Sequence, residues 1–183
     1  MDRQDAIVFL EKNIQSKNLI KHSLAVEAVM KKLAQRFGED EKKWALAGLL
    51  HDIDYETTKD DEKKHSLVGG KMLREIGMEP EIVDAVITHN AIHGIPRGSL
   101  IAKSLFCTDP ITGLIVASAL VIPEKKLKSL TVDNILNRFK EKSFARGANR
   151  ETISRCSEIG LTLEEFAGLS LEAMKNINDK LEL

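Results

Sequence analysis

The sequence predicts an all-α protein. Apolar residues recur at helical spacing over long stretches, for example between Leu24 and Phe37, and this period matches one buried face of an α-helix. Residues that favour helix starts and ends occur at intervals of about one helix length. No segment shows a convincing alternation of apolar and polar residues of the kind that indicates a half-buried strand. We therefore expect helices from one end of the chain to the other.

The first two helices are predicted over residues 22–37 and 40–51, and Gly38 is expected to end the first of them. At about 1.5 Å per residue, these helices extend over roughly 22 and 17 Å. An antiparallel hairpin of two such helices would bring His51 back to the level of His22.

A second hairpin is predicted by the same geometry, over residues 65–74 and 80–89. Pro80 is a good first residue for the returning helix, and Gly77 is expected to end the helix before it. Because the two helices have similar rise, the histidines at positions 65 and 89 should arrive at one end of the hairpin.

Later helices are predicted from Ser99 onward and from Thr162-Leu-Glu-Glu165, which has the spacing of a capping box. Gly160 is expected to end the helix that precedes this box. Residues 123–129 carry three lysines and one glutamate, which indicates a solvated connection between helices.

Size and charge bound the classes of function. The 183 residues suit a single domain, 1–183, and we expect its core over about 18–122 and a C-terminal helical extension over about 123–183. The net charge is −1, so the chain has no basic field for binding a large nucleic acid. A small anionic partner is compatible with this charge.

The chain shows no sign of membrane insertion or secretion. Its longest strongly apolar stretch, residues 113–122, is too short to span a bilayer, and the first five residues lack the features of a secretory signal. Cys107 and Cys156 lie far apart, which favours reduced, buried thiols over a disulfide or a nucleophile. We therefore expect a cytoplasmic protein without a membrane partner.

The most informative feature is His51-Asp52, which closes the apolar run that begins at Trp44. Imidazole and carboxylate groups both bind divalent metal ions. Each histidine is weak evidence by itself, but the order of the candidates, their helical setting and the small pair Gly69-Gly70 together predict a metal site. The other candidate ligands are His22, His65, His89 and Asp109.

With this order of ligands, the sequence resembles the HD superfamily of metal-dependent phosphohydrolases over about residues 18–115. The resemblance implies an HD-domain helical bundle. It also implies that His65 and His89 hold a second metal ion, with Asp52 shared between the two ions. The superfamily's defining ligands, which would hold the first ion, match His22, His51, Asp52 and Asp109.

The resemblance implies a metal-dependent phosphohydrolase with one or two divalent ions per chain. Such ions, ligated through Asp52, would clamp a phosphate and lower the pKa of a bound water, so that hydroxide attacks near neutral pH. The ligand types suit Mn, Fe, Co, Ni, Zn or Mg without a clear choice among them. We expect a small phosphorylated substrate, with a nucleotide phosphoester or phosphoanhydride favoured.

Two branches of the superfamily are similar to this chain in different regions. The series of ligands is similar to that of small bacterial enzymes that split diadenosine tetraphosphate symmetrically. The apolar stretch after Asp109 more resembles a group of stand-alone predicted HD hydrolases, to which the resemblance assigns no substrate.

The residues after His51-Asp52 depart from the pattern of two-metal relatives. Many of these continue with Ile-Gly-Lys, whereas this chain has Ile53-Asp54-Tyr55. Asp54 is a candidate catalytic residue that could orient a water or carry a proton, and a structural role behind the ligands is the alternative. His93 could substitute for a second histidine expected after His89, although a surface histidine is the favoured interpretation.

Positive groups for a phosphate must come from elsewhere in the chain. Lys103 and Arg97 are candidate phosphate contacts, and solvated side chains are the alternative for each. Arg146 and Arg150 flank a glycine within residues 140–150. This segment could bind an anion, but an ordinary turn is preferred unless it lies near the metal ligands.

Two functional hypotheses follow. The first is the phosphohydrolase, and the second is a binding or regulatory module that holds a phosphorylated ligand without hydrolysing it. The missing Gly-Lys pair after His51-Asp52 favours the second hypothesis. A purely structural helical protein would leave six potential ligands in this order unexplained.

Overall fold

A computed structural model describes residues 1–183, and it contains helices and turns without any β-strand. The predicted all-α class is therefore confirmed. Three short 3₁₀ helices span Ala91–His93, Leu127–Ser129 and Arg155–Ile159. The α-helices are α1 (Arg3–Asn13), α2 (Lys17–Phe37), α3 (Glu41–Leu50), α4 (Tyr55–Thr58), α5 (Leu67–Glu75), α6 (Pro80–Thr88), α7 (Leu100–Val121), α8 (Val132–Lys140), α9 (Arg150–Ser154), α10 (Leu163–Lys175) and α11 (Asn178–Leu181).

Several helices begin at residues whose side chains satisfy the free backbone N–H groups of the first turn. Asp40 accepts two such hydrogen bonds at the start of α3, and Ser99 accepts one at the start of α7. Thr162 forms the predicted capping box with Glu165 at the start of α10. These starts are therefore set by local sequence.

The second hairpin differs from its prediction at one end. α5 begins at Leu67 rather than at position 65, because Ser66 has a φ of 71° that interrupts helical geometry. His65 consequently lies in the turn before α5. Gly77, with a φ of 72°, ends this helix region as predicted.

α2 and α3 form the predicted antiparallel hairpin. The rings of His22 and His51 lie 5.1 Å apart at one end of the pair, and those of Phe37 and Trp44 lie 6.0 Å apart at the other. A Cβ on Gly48 would lie only 2.8 Å from the carbonyl oxygen of Val26, so the two backbones cross in direct contact there. This close approach sets the separation of the two helices at the site end.

α7 runs through the interior of the bundle. By length and composition it is the one helix that could cross a membrane, and 61% of its most apolar window is buried inside the fold. The helix begins directly after Ser99, as predicted, and it joins the apolar stretch over residues 113–122 to an earlier part that carries the two charged residues Lys103 and Asp109. Its buried side chains pack in the core with those of the surrounding helices.

One hydrophobic core runs through the whole chain. Its 42 buried residues extend from Ala6 in α1 to Leu181 in α11, and the predicted C-terminal extension contributes large members such as Phe166. Cys107 and Cys156 are free and buried, as predicted. Burial raises the pKa of both thiols, so they stay protonated and are poor nucleophiles.

Candidate metal centre

The structure brings all six predicted ligands together at one end of the bundle. The first hairpin supplies His22 from α2 and His51-Asp52 from the residues directly after α3. The second hairpin supplies His65 from the turn before α5 and His89 from the residue directly after α6. Asp109 comes from the middle of α7.

Asp52 is the common neighbour of the four histidines. Its Oδ1 atom lies 3.4 Å from the Nε2 atom of each of His51, His65 and His89. Its Oδ2 atom lies 3.7 Å from the Nε2 atom of His22. A carboxylate in this position can serve two ions at once, which one imidazole nitrogen cannot do.

Asp109 closes the other side of the cluster. Its Oδ1 atom lies 3.1 Å from Nε2 of His22 and 3.8 Å from Nε2 of His51. Two overlapping groups of ligand atoms therefore share His51, each with atoms within 4.8 Å of one another. These groups are His22, His51 and Asp109, and His51, Asp52 and His89.

Helix-end carbonyl groups fix the protonation of two of these histidines. Nδ1 of His51 lies 2.9 Å from the carbonyl oxygen of Gly48, and Nδ1 of His89 lies 2.6 Å from that of Val86. Because a carbonyl oxygen only accepts, each Nδ1 carries the proton. Each Nε2 therefore presents a lone pair to the cluster.

Side chains fix the other two histidines in the same way. Nδ1 of His65 donates to Oδ1 of Asp54 at 2.9 Å. The Thr112 hydroxyl donates to the carbonyl oxygen of Asp109 at 2.8 Å, so its lone pair accepts from Nδ1 of His22 at 3.2 Å. All four Nε2 atoms are thus prepared to ligate a cation.

The arrangement fits a metal ion by two further observations. Nε2 of His51 is fully buried and has no hydrogen-bond partner, which is costly for a polar atom unless a ligand fills the position. Nε2 of His65 and Nε2 of His89 face each other at 3.2 Å, and two lone pairs at this distance repel unless a cation lies beside them. Imidazole and carboxylate ligands together suit divalent transition metals.

The electrostatics of the cluster also favour positive charge. Burial by itself lowers the pKa of His51, but Asp52 and Asp109 outweigh burial and raise the pKa to about 9. Burial raises the pKa of Asp52, and the neighbouring His51 and His89 reverse this and hold it below its usual range. Protons and metal ions therefore compete for the same atoms, so metal binding weakens as the pH falls.

Asp54 lies behind the ligands rather than among them. Its side chain is fully buried, Oδ1 accepts from His65, and Oδ2 accepts from the backbone N–H of Gly69 at 2.7 Å. A Cβ on Gly69 would lie 3.2 Å from Cγ of Asp54, so this close approach favours glycine. With both oxygens bonded to protein donors, Asp54 is placed to orient His65, which is the structural alternative given above, and it does not line the cleft.

Replacing Asp54 by alanine should weaken metal binding at the His65 and His89 side of the cluster by about 10- to 100-fold. The physical reason is that His65 loses the partner that fixes its Nδ1 proton and its ring orientation. Metal content by elemental analysis and calorimetric titration with Mn²⁺ would measure the change. An equal loss of affinity for both ions, or an unchanged metal affinity, would contradict the role of Asp54 in orienting His65.

A cleft of about 460 Å³ opens onto the metal centre, a volume within the usual range for small-molecule sites. His65, His89 and Asp109 form its floor, and the other walls come from four separate parts of the chain. These walls are formed by Tyr55, Thr58, Lys59, Glu62, Asn90, Ala91, Phe106, Pro110, Gly147, Asn149 and Thr152.

The two cations predicted to contact phosphate do not line this cleft. Arg97 donates to the carbonyl oxygen of Thr88 at 3.0 Å and stacks 3.7 Å from the centre of the Phe106 ring. Lys103 precedes Asp109 by six residues, which places it about 120° away around the helix. The cation in the cleft is instead Lys59, which follows α4.

His93 is not a member of the cluster. Its Nε2 donates to the carbonyl oxygen of His65 at 2.8 Å, and the side-chain amide of Asn90 donates to the same oxygen at 3.3 Å. Together they hold the turn that carries His65, so His93 acts on the backbone and does not replace a missing ligand.

Residues 140–150 reach the cleft, because Gly147 and Asn149 form part of its wall. Arg150 does not face a ligand there. Its guanidinium donates to six backbone carbonyl oxygens, at distances from 2.6 to 3.3 Å, and so holds the loop together. These oxygens belong to Arg138, Phe139, Glu141, Phe144, Ala145 and Ala148.

Sequence reasoning missed Thr112 and Lys59 as members of the site. Thr112 lies three residues after Asp109, which places it on the same helix face. Lys59 lies on the short connection between Asp52 and His65, so any cation there is near the ligands. Both could have been found from their spacing to predicted ligands.

Comparisons with known proteins match the chain to one protein family and to relatives that share one name. A protein-family model described as HD domain matches residues 19–141. The chain is 30% identical over 139 residues to Ribonuclease Y of Lawsonia intracellularis, covering 74% of this chain and 26% of that protein. It is 31% identical over 171 residues to Ribonuclease Y of Lachnoclostridium phytofermentans, covering 90% and 32%. No solved structure matches the chain, and it spans between a quarter and a third of the length of these relatives.

Proposed function

The chain belongs to the HD domain family of metal-dependent hydrolases, and we propose that its cleft hydrolyses a phosphoester or phosphoanhydride bond of a small phosphorylated molecule, with a nucleotide favoured. The observation that carries the proposal is the set of Nε2 lone pairs around Asp52, two of which belong to His65 and His89 in the floor of the cleft. Divalent ions held there supply charge neutralisation for a phosphate and a water of lowered pKa.

The residues of the chain have separate roles in this proposal. Two negative charges favour a cation here: Asp52 is buried beside all four histidines, and the partly exposed Asp109 lies beside His22 and His51. Lys59 supplies a positive group at the wall, where it can pair with a phosphate oxygen. Tyr55, beside His65 with ring centres 5.4 Å apart, forms an apolar face next to the reacting position.

The size of the cleft supports a small substrate. A volume of about 460 Å³ lies toward the lower end of the range of roughly 300–1,000 Å³ that binds compact ligands. A nucleotide portion inside the cleft is compatible with this volume, and a folded macromolecule is not.

RNA is a second candidate substrate, because the relatives are named as ribonucleases and match most of this chain. In that case one terminal nucleotide of a strand would enter the cleft. The net charge of −1 argues against a broad electrostatic grip on RNA, so the small phosphorylated substrate is preferred.

A hydrolysis panel tests the proposal. The protein loaded with Mn²⁺ should hydrolyse bis(p-nitrophenyl) phosphate or at least one member of a panel of nucleotides and short RNA strands. Removal of the metal by a chelator should abolish the activity, and addition of Mn²⁺ should restore it. A metal-replete protein that binds nucleotides but leaves the whole panel intact would support the binding module and contradict the enzyme.

A further inference from the structure

A second cavity lies beside the metal cleft. It has a volume of about 640 Å³ and is formed by the end of α8, the loop after it and the start of α9. Asn149 lines both this cavity and the metal cleft. We call this second cavity the basic groove, lined by Phe139, Lys140, Lys142, Arg146, Ala148, Asn149, Arg150 and Glu151.

Three exposed cations of the basic groove have no ion-pair partner. Lys140, Lys142 and Arg146 all lie outside the salt bridges of the structure, while nearby Arg138 is paired with Glu141. The one acidic side chain that lines the groove is Glu151. Three free cations and one acidic side chain give the groove a positive charge, although the net charge of the whole chain is −1.

The groove is also held in a defined shape. The five N–H groups of Arg150 are all engaged with carbonyl oxygens of the end of α8 and of the loop after it, so its guanidinium joins the loop to the helix and is not available to a ligand. Ala145, which has a φ of 45°, is among the residues held in this way. A loop fixed before binding loses less conformational entropy when a ligand arrives.

We propose that the basic groove binds a second phosphate of the substrate, on the far side of Asn149 from the metal centre. The inference rests on the proposed function, since the first phosphate is the one bound in the metal cleft. The second phosphate could belong to a polyphosphate tail or to the next nucleotide of a strand, and both present the same chemistry to Lys140, Lys142 and Arg146. Substrates with two or more phosphates are therefore preferred over those with one.

Calorimetric titrations of the metal-loaded protein test this preference with three ligands. Uridine 5′-monophosphate carries one phosphate, the methylene-bridged analogue of uridine diphosphate represents a polyphosphate tail, and 5′-phosphorylated diuridylate with a phosphorothioate linkage represents a strand. At least one of the two-phosphate ligands should bind about tenfold more tightly than the monophosphate, as expected for one added charge-assisted contact. The stronger of the two identifies the source of the second phosphate.

The variant K140S/K142S/R146S should bring the ratio of these affinities close to one. The matched control is K125S/K126S/K128S, which removes three equally exposed lysines from the connection after α7 and changes the net charge by the same amount. The control should keep the wild-type ratio. An unchanged ratio in the groove variant, or no preference in the wild-type protein, would overturn the proposal.

The proposed function has a separate readout. Hydrolysis of bis(p-nitrophenyl) phosphate by the wild-type protein requires only one phosphate. Activity on this compound without any two-phosphate preference would contradict the basic groove alone. A two-phosphate preference without hydrolysis of the compound or the panel would contradict the enzyme and leave the groove supported.

Discussion

Replacement of Asp52 by alanine is expected to remove bound metal from both sides of the cluster and to lower hydrolysis by at least about a hundredfold. Asp52 reaches all four histidines, with Oδ1 at 3.4 Å from three Nε2 atoms and Oδ2 at 3.7 Å from the fourth. No other side chain in the cluster contacts every histidine. Its loss therefore removes one of the two negative charges that would hold the ions and also the one side chain that lies beside all four histidines.

Elemental analysis and turnover of the most active panel substrate would measure the effect of Asp52→Ala. Asp84→Ala is a suitable control, because it removes an exposed carboxylate from α6 that makes no ion pair. The control should keep its metal content and its activity, and circular dichroism should show both variants to be helical. Full activity in a metal-free Asp52→Ala protein would refute the metal-dependent mechanism.

Gly48→Ala is expected to destabilise the fold by about 3 kcal/mol, at the upper end of the usual cost of overpacking. The added Cβ would lie 2.8 Å from the carbonyl oxygen of Val26 and 2.9 Å from the amide nitrogen of Glu27. Both are backbone atoms of α2, so no side chain can rotate to make room, and the two helices must separate. Because the Gly48 carbonyl also orients His51, metal affinity should fall as well.

Gly113→Ala, also a substitution within a helix, is expected to stabilise the fold instead. Gly113 is exposed in the helix α7, and no atom lies within 4 Å of the position of an added Cβ. Alanine there should stabilise the protein by about 1 kcal/mol, through its higher helix propensity. Urea unfolding of both variants measures the free energies, and a Gly48→Ala protein as stable as the wild type would show that the helices do not cross as described.

Local sequence was sufficient to predict much of the fold. The caps at Asp40, Ser99 and Thr162 and the helix ends at Gly38 and Gly77 act within a few residues of chain, so their effect is visible without tertiary structure. The start of α5 at Leu67, two residues later than predicted, also has a local cause, the positive φ of Ser66. No sequence pattern marks a serine that adopts this conformation.

The convergence of the candidate ligands was predictable because helix rise is constant. Two hairpins of matched length return their ends to one level, and the four histidines do meet there. The roles of the surrounding cations were not predictable in this way. Arg97 is bonded to the Thr88 carbonyl and stacked on Phe106, whereas Lys59 lines the cleft.

The sequence by itself determined the helical class, the order of the six potential ligands and the chemistry that their side chains can perform, because residue type and helical period are properties of short segments. Only the tertiary structure decided which atoms face inward, that Asp54 supports His65, and that the loop held by Arg150 borders the metal cleft. These relations join residues far apart in the chain. They depend on how close packed backbones can approach, as at Gly48 and Gly69, and no local pattern encodes that distance.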